Sequence, residues 1–164
     1  MHKLALSALV VLALPAMGEE AVITGNVESK CQINTDINGV FGNPTAGTLS
    51  TLPADGGVMP IIRYDVALGE AYTARVIAPN SFSTSPTLDD IVTWTADVEV
   101  SEVSDTAMSD YETDKIQYEY TSEFDLHTAG STWFKVTSKA EYGYGRSFPG
   151  GQYRAIVMAE CIAN

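Results

Sequence analysis

Ile23-Thr24-Gly25-Asn26-Val27-Glu28-Ser29-Lys30-Cys31-Gln32-Ile33 is the stretch whose reading decides the fold of this 164-residue chain. Its odd positions (Ile23, Gly25, Val27, Ser29, Cys31, Ile33) are mostly apolar or small, and its even positions (Thr24, Asn26, Glu28, Lys30, Gln32) are polar. A period of two is that of a strand with one buried face, which predicts a strand over residues 23–33. Cys31 falls on the inward row, and the other cysteine, Cys161, lies near the C-terminus. A first and a last strand joined there would close a domain.

Toward the N-terminus the stretch is preceded by an export signature. His2 and Lys3 form a short charged start, Leu4 to Leu14 a small-and-apolar run, and Pro15-Ala16-Met17-Gly18 a small-residue cleavage site. That run is too short to span a bilayer, which takes about 20 residues. The reading is a signal peptide over residues 1–18, removed after Gly18, and one domain over residues 19–164, with no membrane insertion once the signal is gone. The protein is therefore expected in the periplasm, on the cell surface or outside the cell. The formal charge of −12 repels phosphate backbones and excludes nucleic acid as a natural partner. Two cysteines in an exported chain favour one disulfide, Cys31–Cys161, and the alternative is two separately buried thiols.

Toward the C-terminus, Thr35 to Pro60 is rich in turn residues, with room for a short strand near Gly47 to Leu52. Val58 to Leu68 and Ala71 to Ala78 read as two strands about a Gly69-Glu70 turn, a hairpin. Residues 78–90 read as a loop. Ile91 to Val103 alternates, with Val92, Trp94, Ala96, Val98 and Val100 inward. Ser104 to Asp114 breaks the pattern and carries four acids; Ser104 or Asp105 can cap a helical turn there. Ile116 to His127 reads as one long one-sided strand, with Ile116, Tyr118, Tyr120, Ser122, Phe124 and Leu126 on one face. Thr132 to Tyr142 returns with Phe134, Val136 and Ala140 inward, so that glutamates of the first strand can meet Lys135 and Lys139 of the second. Gly143 to Gly151 is a loop. Gln152 to Ile162 is apolar on both faces, as a central or covered strand is. With short strands, turn signals and no long helical pattern, the expected class is all-β: a single immunoglobulin-like β-sandwich.

Groups that do chemistry are scarce. After signal removal His127 is the one imidazole left, without a nucleophile-elbow pattern to accompany it. Zinc needs several nitrogen or sulfur ligands, and one histidine with two bridged cysteines does not supply them. Asp105, Asp110, Glu112 and Asp114 have the hard oxygens calcium prefers, but not an EF-hand spacing, and read as a solvated acidic loop. No catalytic residue, metal site or cofactor is assigned, and the protein is read as not an enzyme. Tyr142, Tyr144 and Phe148 place aromatic rings on a glycine-rich loop, and Trp133 falls on the polar face of its strand. These four are the candidate contact residues, unless the loop rings fold back to cap the sandwich.

The two ends of the chain carry a resemblance. Ile23, Thr24, Gly25, Asn26, Val27, Cys31 and Ile33 resemble the first strand of pilins assembled by the chaperone–usher route, nearest in flavour to spore-coat U-like domains. Gly151-Gln152-Tyr153 and the apolar residues after it are similar to their closing strand. The resemblance covers about 25 residues and leaves the middle of the chain unmatched. It implies an incomplete sandwich that receives a strand from a periplasmic chaperone or a neighbouring pilus subunit. In pilins the first strand is usually bridged to the second, whereas the partner cysteine here lies in the last. With a strand starting at Ile23, the preceding Glu19-Glu20-Ala21-Val22 is too short to fill a neighbour's groove, so the chain is expected either to accept a strand without donating one or to be a self-complete secreted domain. The alternative reading is a soluble periplasmic or secreted domain that binds a small ligand or carbohydrate through exposed aromatics.

Overall fold

The computed structural model describes residues 23–25, 30–67 and 71–164. The expected signal peptide, residues 26–29 of the opening stretch and the Gly69-Glu70 turn lie outside them. The described residues form strands β1 (Cys31–Ile37), β2 (Gly42–Thr45), β3 (Thr48–Ser50), β4 (Ile61–Val66) and β5 (Tyr72–Ile77). They continue with β6 (Val92–Val103), β7 (Ile116–Tyr118), β8 (Thr121–Leu126), β9 (Gly130–Tyr142) and β10 (Met158–Ala163). Two 3-10 turns, Pro53–Asp55 and Thr106–Met108, are the helical elements among the described residues.

All pairings are antiparallel and fall into two sheets. In the first, β9 is the spine: β6 runs along one edge, while β4 (followed by β1) and β3 (followed by β2) share the other. The second has the order β10-β5-β8-β7. One-sided alternation makes the two layers. β4 buries Ile62, Tyr64 and Val66, β9 buries Phe134 and Val136, and these meet Tyr72, Ala74 and Val76 of β5 and Phe124 and Leu126 of β8. Phe134 is fully buried, 4.4 Å by ring centroids from Phe124 across the layers and 5.3 Å from Tyr64. Burying such a side chain stabilises by up to about 3 kcal/mol. The Tyr64 hydroxyl crosses the core, 3.1 Å from the carbonyl oxygens of both Arg75 and Glu160, and ties β4 to β5 and β10. Burial pushes this phenol far above its ordinary pKa.

Cys31 and Cys161 form a disulfide with Cα atoms 6.4 Å apart. Cys31 lies opposite Val66 on β1, and Cys161 opposite Ala74 on β10. The bridge therefore fastens the edge strand of one sheet to the edge strand of the other. The expected all-β class and terminal staple are thus present.

Several expectations need correction. The first strand starts at Cys31, where its partner β4 ends at Val66, and Ile23 is 97 % exposed outside any strand. β4 and β5 are not a hairpin. Each turns its apolar row to the core from a different sheet, and alternation alone does not choose between lying side by side and lying face to face. The long strand from Ile116 is two, β7 and β8, folded at Glu119-Tyr120, so that Tyr118 faces Thr121 and Ile116 is exposed. Glu119 takes φ 53°, and the turn is held by Tyr120, whose hydroxyl donates to the Trp94 carbonyl at 3.1 Å. β8 and β9 also lie in different sheets, so the expected pairing of their glutamates and lysines does not form. Lys135 meets Glu99 of β6 at 2.8 Å, and Glu123 meets Arg75 of β5 at 2.7 Å. The last strand is an edge, paired with β5 alone, and begins only at Met158.

The short strand expected near residues 47–52 is β3, and the alternation of β6 and β9 is as read. Asp105 caps the Thr106–Met108 turn by accepting from the Ala107 N–H at 2.8 Å. Gly130, at φ 143°, opens β9 in a backbone region that side chains rarely adopt, so this crossover between sheets favours glycine.

Candidate functional site

The site follows from how β9 shares its edge. β4 pairs with residues 130–135 and β3 with residues 139–141, which leaves 136–138 between them. The chain leaves the sheet over residues 51–60. Its two ends stay attached: the Thr51 N–H donates to the Ser138 carbonyl at 2.9 Å, and the Val136 N–H to the Pro60 carbonyl at 3.1 Å. Opposite this split runs the approach to β10, residues 151–157, which among the described residues bonds to the rest of the backbone only through Arg154, paired with Ser83 and Thr84. Between the two lies an open groove of about 610 Å³.

Leu49, Ile62 and Val136 form apolar parts of the groove wall on the first sheet, and Ala155, Ile156 and Val157 line it from the other side. Residues 155–157 make no backbone hydrogen bond among the described residues. That is the physical reason for the apolar character on both faces of Gln152–Ile162: its first half borders a groove rather than sitting inside a sheet. Val40 and Ile156 line the groove and are each 54 % exposed, with the exposed Val58 and Met158 beside them in the bridge and in the chain. One end is aromatic. Phe41 and Tyr153 line it and belong to a cluster with Phe82, Trp94 and Phe148.

Ser138 is the polar feature of this wall. It sits on the inward row of β9 between Val136 and Ala140 and is 3 % exposed. Its N–H donates to Thr51 Oγ1 at 2.8 Å, but its own Oγ has no hydrogen-bond partner among the described residues. An unmet buried hydroxyl costs about 1–3 kcal/mol. Arg154 also lines the groove. The chain's other three arginines each reach two carboxylates (Arg63 to Asp36 and Asp65, Arg75 to Glu123 and Glu160, Arg146 to Asp89 and Asp90). Arg154 makes no ion pair among the described residues.

The contact residues expected from the sequence are not gathered here. Tyr142 is buried, stacks on Phe148 at 5.2 Å, and donates its hydroxyl to the Asp89 carboxylate. That bond, and after it the Arg146 charge, holds the Asp89 carboxyl below its ordinary pKa; the same bond lifts the Tyr142 phenol above its own. Phe148 is half-buried in the aromatic cluster, and of the loop rings only Tyr144 is fully exposed. Trp133 lies on the outer face of the first sheet, with Nε1 donating to Asp36 at 2.8 Å and the Arg63 guanidinium 5.9 Å from its ring. The loop has folded back as the capping alternative has it, apart from Tyr144.

Elsewhere, His127 Nε2 is 3.4 Å from Asp110, and its ring lies edge-on to Tyr111 at 5.0 Å. Of the acids between residues 105 and 114, Asp105, Asp110 and Glu112 are engaged locally. Besides the Asp105 cap, Glu112 accepts from the Val100 N–H at 2.6 Å and meets Lys115 at 3.1 Å. Among the described residues, no three histidine, cysteine or acidic side chains come together to hold a metal ion. No helix among them is long and apolar enough to cross a membrane.

Sequence reasoning missed Ser138, Thr51 and Arg154. A serine in the apolar row of β9 was a visible signal, but its neighbours across the split come from distant parts of the chain. Fold and groove together define the class: a two-sheet all-β protein whose terminal strands are stapled edge to edge beside an open groove. Comparison of the chain with family models, with curated proteins and with solved structures finds no match to name it further.

Proposed function

We propose that the protein is an exported, non-enzymatic structural or adhesive subunit, an immunoglobulin-like sandwich of pilin type at the cell surface, whose groove receives an extended segment from a partner. The observation that carries this reading is the groove itself. It lies beside the approach to the last strand, is rimmed by exposed apolar side chains, and offers unpaired backbone at 155–157. Such an edge binds a chain by β-augmentation, with main-chain hydrogen bonds for affinity and alternate side chains in the groove for specificity. The disulfide is compatible with an oxidising, exported setting.

Expression of the full chain in a bacterial periplasm with candidate chaperone and usher genes tests the reading. The expected result is a mature N-terminus at Glu19, a co-purifying chaperone, and polymers that ladder on unheated gels. A chain that stays monomeric and unaccompanied under those conditions overturns it. One observation favours a second reading, a small-ligand or carbohydrate site: a groove of about 610 Å³ with Phe41 and Tyr153 in its wall is within the ordinary range of ligand pockets. Native mass spectrometry that finds a bound small molecule displaced by Ile156→Glu would favour that reading instead.

A further inference from the structure

We infer that residues 112–120 act as a strap over the outer edge of β6, and that without it this edge pairs with the same edge of a second copy of the chain. The surface lies apart from the groove and does not depend on what the groove receives. Among the described residues β6 pairs with β9 alone. The direction of its free backbone groups follows from β9. Ser138 exchanges both of its backbone groups with Thr51, and Val136 gives its N–H to Pro60, on the side of β9 away from β6. Their partners across the ladder, Ala96 and Val98, therefore sit in non-hydrogen-bonded pairs and turn their own N–H and carbonyl groups out of the sheet. By the same period Val92, Trp94 and Val100 do so too. Such a row of backbone groups is a template for another strand.

The edge is not left bare. Glu112 Oε2 accepts from the Val100 N–H at 2.6 Å, Lys115 Nζ donates to the Val98 carbonyl at 2.9 Å, and the Tyr120 hydroxyl donates to the Trp94 carbonyl at 3.1 Å. Asp97 accepts from the Val98 N–H at 2.8 Å, and Lys115 lies 3.1 Å from both Asp97 and Glu112. Outward groups of Trp94, Val98 and Val100 are thus taken by side chains, which satisfy a strand edge without extending the sheet. The strap is pinned on both sides. Met108 and Tyr111, just before it, are buried in the core, with the Tyr111 hydroxyl accepting from the Thr128 N–H at 3.0 Å. Within it, β7 is paired to β8.

The sequence of β6 suits a second copy of itself. Two antiparallel β6 edges centred on Ala96 place Trp94 opposite Val98 and Val92 opposite Val100 on the core-facing row. On the outer row they place Thr95 opposite Asp97 and Thr93 opposite Glu99. No acid of residues 92–100 then lies directly opposite another, although the chain has a net charge of −12. In this register the outward-turned residues face one another and can exchange both backbone hydrogen bonds in each pair. The contact is isologous, so it closes on a dimer rather than propagating.

The test is sedimentation velocity on the chain carrying Ile156→Glu, an exposed position that takes the groove out of the comparison, with and without Glu112→Ala/Lys115→Met/Tyr120→Phe. The chain with its strap intact should sediment as a monomer, and the strap variant should form a dimer at the same concentration. In that dimer the outward N–H of Ala96 should exchange more slowly than in the monomer. Thr95 is exposed on the outer row, and in the symmetric pair it faces Asp97 twice. Adding Thr95→Asp should therefore weaken the dimer about tenfold. Thermal melts confirm that each variant folds. If the triple variant does not, Lys115→Met alone keeps the stem, breaks the bonds to Val98 and Asp97, and is read at higher concentration. A folded strap variant that stays monomeric overturns the inference. So does a dimer whose affinity Thr95→Asp leaves unchanged, or one that forms with the strap intact and is weakened by Thr95→Asp.

Discussion

Removing the disulfide is the perturbation whose size follows most directly from the fold. Cys31 and Cys161 are 130 residues apart in sequence, so their bond closes most of the chain into one loop. The loop-closure entropy withdrawn from the unfolded state amounts to about 5 kcal/mol, an upper figure since measured values often fall short. For a domain of this size 1 kcal/mol moves the melting temperature by about 3 °C, so Cys31→Ser/Cys161→Ser should melt up to about 15 °C lower. The double substitution is needed because either single one leaves a thiol able to cross-link two molecules. The assay is calorimetry on wild type and variant, each with and without a reductant. Reduced wild type should fall to the variant's temperature, and the variant should not respond. The location of the bond adds a second expectation. β1 and β10 each have one strand neighbour, and the bridge joins their edges, so amide exchange in both strands should quicken once it is gone. A variant that melts within about 2 °C of oxidised wild type would refute the reasoning, because the unfolded chain would then not be limited by this loop. So would two free thiols in protein taken from an oxidising compartment.

Three further outcomes are expected. Tyr64→Phe removes a hydroxyl shared by the Arg75 and Glu160 carbonyls and should cost about 1–2 kcal/mol in urea unfolding, with the sheets still packed. Glu119 is the one described non-glycine residue with positive φ, so Glu119→Gly should stabilise by about 0.5–1 kcal/mol, and a loss of stability would show that the turn is not strained. Arg75, and after it Tyr118, hold the Glu123 carboxyl below its ordinary value of 4.5. A depressed carboxyl stabilises above that value and loses its contribution as pH falls below it, so Glu123→Gln should flatten the acid side of a urea-midpoint profile below about pH 4.5. A variant profile parallel to wild type would mean that the pair is not felt in folding.

How far the sequence could be read depended on the range of the interaction concerned. Side-chain alternation is local, so the inward rows of β6, β8 and β9, the Asp105 cap and the turn-rich segment after β1 were all legible. Pairing is not local. Val58–Leu68 and Ala71–Ala78 alternate as a hairpin would, yet their apolar rows meet from opposite sheets, and nothing within either strand distinguishes the two arrangements. The Ile116–His127 run failed for the opposite reason: Glu119 adopts a left-handed backbone that a glutamate seldom takes, so no glycine or asparagine marked the turn. The groove was the least legible feature, since Thr51, Ser138 and Arg154 come together only where β3 and β4 part along one edge of β9.

By itself, then, the sequence determined an all-β chain with one cysteine near each end and a serine set among the apolar residues of its longest strand. Only the tertiary structure decided that the cysteines fasten two sheet edges together, that the last strand stops short and leaves a groove, and that the first described strand begins at Cys31. The physical reason is the same in each case. A strand's period shows which face it buries, whereas its beginning, end and partners are set by how much of a neighbouring edge remains to be paired.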